Sequence, residues 1–252
     1  MIKEARQRAL LEQLREHQVA STATLSEALK ASATTVRRDL DELSALGLIV
    51  RVFGGARLAS ENPLAEKVDD PFDEVLARGD EGKRAMAGLV AQRITPGSTV
   101  FLEAGTTTYR VAEKLLEHDL TVVTNSLRIA DLLVTNPGTE LIMLGGHVNR
   151  EYMSVQGATT TAEIANLQID VAVLGCSGVG ERAVVRDTDS RGREIKLAAR
   201  RHASRVLLVA GHDKFPGIGA YNAIDVGDVD LLITDHPLPA AFPTLPTEVL
   251  HP

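Results

Sequence analysis

Apolar positions in the first 58 residues recur in three blocks at helical spacing. Ala9, Leu10, Leu11 and Leu14 share one side of a first helix ending near Gln18. Thr24 and Glu27 have the spacing of a capping box, which predicts a second helix with Leu25, Ala28 and Leu29 on its apolar side. Ser32 can cap a third helix, on which Val36, Leu40 and Leu43 recur at i, i+4 and i+7 before Gly47 stops it. The run from Leu48 to Phe53 is rich in β-branched residues. Gly54 and Gly55 follow, then a return through Ala56, Arg57 and Leu58, which reads as a hairpin. Three short helices and a hairpin predict a winged helix-turn-helix over residues 1–58.

Residues 59–80 contain Pro63, Pro71 and seven acids without an apolar period, and read as a linker running into the next helix. From Glu81 the pattern changes. Predicted helices at 81–92, 108–117, 126–134, 159–167 and 191–203 alternate with short apolar strands at 98–103, 120–124, 139–144, 169–174, 205–210 and 229–234. Such alternation implies an α/β domain over residues 81–235, its mainly parallel sheet covered by helices on both faces. The tail, 236–252, holds five of the ten prolines and is expected to be irregular.

Charge adds a second contrast between the halves. The chain of 252 residues carries a net charge of −7, but residues 1–58 hold nine Lys or Arg against seven acids, while the rest holds 18 against 27. A basic head on an acidic body remains compatible with nucleic acid, because salt screens distant acids over about 8 Å. The 44% apolar content fits a globular chain, and no apolar run approaches a membrane span of about 18 residues or a signal peptide's core. The expected location is the cytoplasm. A single cysteine, Cys176, excludes an intramolecular disulfide. The seven histidines are scattered without zinc-ligand spacing, so no metal or other cofactor is expected, and His147 and His212 read as loop residues. Cys176 itself ends an apolar strand and reads as a small buried side chain.

Chemistry concentrates at two places. On a helical wheel Thr34, Arg37 and Arg38 lie opposite the buried stripe of the third helix, about 100–200° from Val36. Arginines there can reach guanine edges, and threonine can meet a phosphate or a thymine methyl. Ser32 and the free amides of the helix start can hold a phosphate. An ordinary solvated helix face would look the same in isolation. The wing arginines Arg51 and Arg57 favour double-stranded DNA, and with Ser32, Thr34, Thr35, Arg37 and Arg38 they make the candidate interface.

The second place is the set of strand ends. Glu103 leads into Ala104, Gly105, Thr106, Thr107 and Thr108, where a helix begins: backbone amides, hydroxyls and the helix dipole together favour a phosphate-sized anion. The loop is neither a P-loop nor a dinucleotide fingerprint, and Gly217-Ile218-Gly219 lacks the third glycine of the latter. Thr124, Asn125 and Ser126, then Gly145 and Gly146, then His212, Asp213 and Lys214 follow other strands. In a parallel sheet these ends share one edge, where ligands bind. Lys214 would neutralise an anion, and Glu103 or Asp213 would accept hydrogen bonds from sugar hydroxyls, so a phosphorylated polyol is the expected ligand class. Gly175, Gly178 and Gly180 either line that pocket or turn the chain.

These residues resemble the DeoR-type transcriptional regulators of bacteria over nearly the whole chain, from about Arg6 to Asp235. SATTVRRDL from Ser32, Leu46-Gly47 and VFGGA from Val52 resemble the family's DNA-binding signature. EGKRAMA from Glu81, which contains Lys83, then AGTTT from Ala104, VTNS from Val123, LGG from Leu144 and DKF from Asp213 fall in the family's order. The resemblance implies a sugar-phosphate sensor domain similar in fold to ribose phosphate isomerases. It also implies a repressor of carbohydrate or nucleoside catabolism released from DNA by a phosphorylated sugar. Lys83 joins the candidate effector residues on this ground. Two departures stand out: Glu103-Ala104 replaces the family's Asp-Ser, and Gly211 replaces an aspartate three residues before the lysine. They leave the particular sugar open. One winged head makes few phosphate contacts, so a homo-oligomer, dimer or tetramer, is expected. Two rivals remain: an isomerase-like enzyme with Glu103 or Asp213 as base, and a regulator without an effector.

Overall fold

The computed structural model describes residues 3–17, 19–45, 48–52, 55–58, 72–217, 219–240 and 242–252. Gly47, Phe53, Gly54, Ile218 and the first part of the expected linker, 59–71, lie outside the described residues. The chain divides into two compact units, Met1–Glu66 and Lys67–Pro252.

The first unit contains helices α1 (Lys3–His17), α2 (Thr22–Leu29) and α3 (Ala33–Ala45) and strands β1 (Val19–Ser21), β2 (Ile49–Val52) and β3 (Gly55–Leu58). Strands β2 and β3 form the expected antiparallel hairpin, with Val52 opposite Gly55. β1 adds an unforeseen third strand against β3. Leu10, Leu14, Leu25, Leu29, Val36, Leu40 and Leu43 are buried together, so the apolar stripes of the three helices meet in one core. Two details differ from expectation. Ser21, not Thr24, caps α2: its hydroxyl accepts from Thr24 N at 3.0 Å, which moves the helix start upstream. Ala28 is exposed, and Thr22 is buried in its stead.

The second unit is built on a seven-stranded, wholly parallel sheet. In chain order its elements begin with α4 (Phe72–Ala77), α5 (Asp80–Ala91), β4 (Thr99–Leu102), α6 (Thr106–Lys114), β5 (Leu120–Thr124), α7 (Leu127–Leu133) and β6 (Thr139–Met143). A hairpin of β7 (His147–Asn149) and β8 (Ser154–Gln156) follows, then α8 (Ala158–Ala165), β9 (Ile169–Leu174), β10 (Gly178–Val179), β11 (Val184–Asp187), α9 (Ser190–His202), β12 (Ala203–Val209), β13 (Tyr221–Asp225), β14 (Leu231–Ile233) and β15 (Glu248–Leu250). The sheet order is β15-β14-β12-β9-β4-β5-β6, with every pairing parallel. β10, β11 and β13 form a small antiparallel sheet beside it.

Alternate residues of each strand serve the two faces. Val100, Leu102, Val122, Val171, Val173 and Leu207 pack with Met86 and Val90 of α5, Val111 of α6 and Ile129 of α7. Phe101, Val123, Ala172, Leu174, Val206 and Leu208 pack with Ile164 of α8 and Ile195 of α9. That two-sided burial is why these strands read as continuous apolar runs. The chain works outward from β4 through β5 to β6, then returns to β4's other side with β9 and continues outward to β15. The strand order therefore reverses between β4 and β9, which opens a crevice at their carboxyl ends.

Two expectations are corrected here. α4 lies within the segment read as linker, because buried Phe72 anchors it edge-on against Tyr109 and Tyr152 at ring separations of 5.7 and 5.9 Å. The proline-rich tail is not wholly irregular: β15 extends the sheet, pairing Val249 with Leu232. Among the described residues no helix is long and apolar enough to cross a membrane.

Candidate functional site

In the head, α3 presents one exposed face. Ser32 Oγ accepts from Thr35 N at 3.2 Å and lies 2.8 Å from Thr35 Oγ1, so it caps the helix. Thr34, Arg37 and Arg38 are exposed, and Thr35 is half-buried. Among the described residues the Arg38 side chain, 84% exposed, makes only a long 3.8 Å approach to Glu42. Arg51 pairs with Ala56 and Arg57 with Val50 in the hairpin, and the two arginine side chains lie outside the described part of the structure. One residue of the signature has a role the sequence did not reveal. Asp39 is buried and takes both ends of an Arg6 fork, one bond at 3.0 Å, which ties α1 to α3.

In the second unit, the strand ends surround a cavity of about 480 Å³. Its walls come from Glu103–Thr108 after β4, Asn125 after β5, Gly175–Ser177 after β9, Ala210–Lys214 after β12 and Asp235 after β14. Val75, Arg78 and Gly79 at the end of α4 and Asn149, Tyr152, Ser154 and Gln156 around the β7–β8 hairpin close its sides. Cavities of this size commonly hold one small ligand.

The start of α6 is open to an anion. Its N-cap is Gly105, which supplies no side-chain cap. Among the described residues the hydroxyls of Thr106 and Thr107 make no hydrogen bond, whereas Thr108 Oγ1 donates to the carbonyls of Glu103 at 2.6 Å and Gly105 at 2.9 Å. Thr108 therefore shapes the loop, while Thr106, Thr107 and the first-turn amides are available to a ligand. Asn125 braces the same loop: its Oδ1 accepts from Ala104 N at 2.8 Å and its Nδ2 donates to Val155 O at 3.0 Å.

Among the described residues three lysines line this cavity, and two of them, Lys83 and Lys214, lie near one another. Lys83 points its ammonium at the carbonyls of Val75, Leu76 and Arg78, capping the end of α4. Burial, helped by the nearby Lys214 charge, lowers its pKa below the ordinary lysine value. Lys214 lies 3.1 Å from Asp213 and remains partly exposed. Two ammonium groups close enough to repel create a place that a phosphate would relieve.

Glu103 is not available in the way the sequence suggested. Its carboxylate is buried, with Oε1 2.7 Å from Lys196 Nζ and Oε2 accepting from Gly175 N at 3.0 Å. Lys196 also donates to Asp187 Oδ2 at 2.6 Å. Two carboxylates thus share one ammonium inside the cavity wall. Burial pushes the Glu103 carboxyl up to about 7, against the opposing pull of Lys196. Burial would lower the Lys196 ammonium, but Asp187 and Glu103 outweigh it and hold its pKa above the ordinary lysine value. Cys176 is half-buried, packing against the core while lining the cavity, and burial pushes its thiol up to about 12.

Of the thirteen candidate effector residues, Lys83, Glu103, Gly105, Thr106, Thr107, Thr108, Asn125, Asp213 and Lys214 line the cavity. Thr124, Ser126, Gly145 and Gly146 do not. The Thr124 hydroxyl donates to Leu102 O at 2.7 Å, Ser126 caps α7, and Gly145 N donates to Glu163. They build the sheet edge rather than face the crevice. Asp187, Asp189, Lys196 and Asp235 are cavity residues that sequence reasoning missed. The only signal for Lys196 is a lysine on the apolar side of α9, beside Ile195 and Ala199.

Gly211, one of the two departures from the family pattern, sits among carboxylates. A Cβ there would stand 2.8 Å from Asp213 Oδ1 and 3.8 Å from both oxygens of Asp235. Neighbouring carboxylates already crowd the position where a side chain would begin.

Comparison with known proteins bears on both units. The family profile described as the DeoR-like helix-turn-helix domain matches residues 6–62, and that of the DeoR C terminal sensor domain matches residues 79–236. The glycerol-3-phosphate regulon repressor of Escherichia coli (strain K12) is 32% identical over 237 residues, covering 94% of this chain and 92% of the relative. The HTH-type transcriptional repressor GlcR of Bacillus subtilis (strain 168) is 31% identical over 235 residues, covering 93% and 89%. Among solved structures, a D-ribose-5-phosphate isomerase in complex with phospho-erythronic acid is 17% identical, covers 54% of this chain and 53% of its own, and has a TM-score of 0.40. With a DNA-binding head and a sensor body both matched, this chain belongs to the DeoR family of transcriptional regulators.

Proposed function

We propose that the chain is a repressor of carbohydrate-catabolism genes and that a phosphorylated sugar in the body's cavity loosens its grip on operator DNA. The head at 1–58 reads the DNA, and the sensor at 81–235, extended by α4 and β15, reads the metabolite. One observation carries the effector class. The uncapped start of α6, with the free Thr106 and Thr107 hydroxyls, shares a 480 Å³ cavity with Lys83 and Lys214 on one hand and Asp189 and Asp213 on the other. The first group suits a phosphate and the carboxylates suit sugar hydroxyls. Relatives named as repressors, among them one of a glycerol-3-phosphate regulon, support the same reading.

The isomerase alternative is disfavoured. Its proposed base, Glu103, is held by Lys196 and the Gly175 amide, and Asp213 is largely exposed beside Lys214. A general base needs a free lone pair within reach of a substrate proton. Action on chromosomal DNA calls for a cytoplasmic protein, which is part of the same proposal. Tight operator binding calls for two heads on neighbouring half-sites, hence a homo-oligomer. A thermal-shift screen of phosphorylated three- to six-carbon sugars tests the effector class. At least one is expected to raise the melting temperature of the wild type and not of Thr106→Val. A panel that stabilises neither protein would refute the sugar-phosphate reading.

A further inference from the structure

The histidines, dispersed in sequence, include a pair that the fold brings together. β12 and β14 are adjacent parallel strands with Val209 paired to Ile233, so the segments that leave their carboxyl ends emerge side by side. His212 lies on the first, and Asp235 and His236 on the second. One ligand-capable atom from each of the three lies within 4.8 Å of the others. His212 Nδ1 is 2.8 Å from Asp235 Oδ2, and the His212 and His236 rings are 4.8 Å apart between centroids.

The carboxylate is positioned as a metal ligand requires. Asp235 Oδ1 accepts from the backbone N of His212 at 2.6 Å, so that oxygen is fixed and Oδ2 is the one turned toward the His212 imidazole. A backbone bond that orients a ligand in this way is the usual support of a metal site. The Asp235 side chain is 11% exposed, whereas His212 is 60% exposed, so a rigid acid faces an adjustable ring. Ligand atoms around a tetrahedral first-row divalent ion lie about 2.0–2.2 Å from it, hence about 3.3–3.6 Å from one another. The His212–Asp235 pair, hydrogen-bonded at 2.8 Å, needs to open by only about half an ångström to admit an ion, and the exposed His236 ring can close the remainder by rotation.

We propose that His212, Asp235 and His236 bind a divalent transition metal at the rim of the cavity. Two imidazoles and one carboxylate favour zinc, cobalt, nickel or iron over magnesium or calcium, which take all-oxygen sets. Three protein ligands leave coordination positions open, and because His212 and Asp235 line the cavity, those positions face the ligand space. A phosphate or hydroxyl oxygen of the ligand would complete the sphere. This last link rests on the sugar-phosphate reading, but the metal site does not.

The test uses the untagged full chain, stripped with a chelator and titrated with Co²⁺ alone while its visible absorption is followed. One equivalent per chain is expected, with Zn²⁺ displacing the cobalt. His236→Ala and His212→Ala should each weaken binding by about tenfold or more, while His147→Ala, on the exposed β7 strand, should not. Unchanged melting of His236→Ala would show that its loss is local. No saturable uptake at micromolar metal, or equal affinity in wild type and His236→Ala, would overturn the site. Repeating the titration with a sugar phosphate that binds in the thermal-shift screen tests the link separately. Tighter Co²⁺ binding or an altered spectrum supports it, and an identical titration overturns the link alone.

Discussion

Replacing Lys196 with methionine is expected to destabilise the body severely and in a pH-dependent way. The substitution keeps the unbranched apolar stem of the side chain and removes the one ammonium between Glu103 and Asp187, whose oxygens lie 2.7 and 2.6 Å from it. Lys196 and Glu103 are 4% and 5% exposed, so water cannot compensate. Breaking one side of a buried ion pair costs about 3–5 kcal/mol, because the partner charge is stranded. Here two carboxylates would be stranded facing each other. The loss must shrink in acid: burial already raises Glu103 to about 7, and removing Lys196 takes away the group that opposes that rise. Urea unfolding followed by circular dichroism should therefore show a loss of about 3–5 kcal/mol near pH 8 and much less near pH 5.5. In the wild type the sign is the same. The folded Glu103 holds a proton that the unfolded chain has released, so its contribution is full below the ordinary value of 4.5 and lost as pH rises through about 7. Glu103→Gln should flatten that slope at little cost, since Lys196 keeps Asp187. A Lys196→Met protein as stable as wild type at pH 8, or one whose deficit ignores pH, would refute the structural role of the triad.

Other perturbations separate the parts of the switch. Thr106→Val with Thr107→Val should weaken effector binding by about 1 kcal/mol per lost hydrogen bond, five- to tenfold each, with unfolding midpoints little changed; calorimetric titration measures it. Arg37→Ala or Arg38→Ala should cost about 1–3 kcal/mol of operator affinity by fluorescence anisotropy, and an equal loss on random DNA would reduce the contact to phosphate. Ser32→Ala removes the α3 cap bonded at 3.2 Å to Thr35 N and should cost the head about 1 kcal/mol, seen as faster amide exchange in the first turn of α3. An unchanged exchange rate would show that the cap contributes nothing.

What was legible in the sequence follows from periodicity. The stripe Val36, Leu40, Leu43 predicted the buried side of α3, and hence the exposed side carrying Arg37 and Arg38. The apolar runs of β4, β5, β9 and β12 stood out because both faces of a parallel sheet are buried. The common edge followed from that parallel order, and with it the loop Glu103–Thr108. Hidden from a linear reading were features made by packing across the chain. α4 depends on Phe72 finding Tyr109 and Tyr152. The pairing of Glu103 with Lys196 spans 93 residues, and that of His212 with Asp235 spans 23. Thr124 and Ser126 looked like ligand groups because a hydroxyl at a strand end can serve either a ligand or the next helix. Only the bonds to Leu102 O and Ile129 N show which use each has.

The most direct test of a sensor that controls a DNA-binding head is an operator titration with and without a saturating effector. A fragment from upstream of this protein's own gene, titrated by anisotropy at fixed salt, should bind about 5- to 150-fold more weakly once a sugar phosphate occupies the cavity, a coupling of about 1–3 kcal/mol. The same factor must appear when the effector is titrated with and without DNA. Unchanged operator affinity in the presence of a sugar phosphate that demonstrably binds the body would contradict the switch.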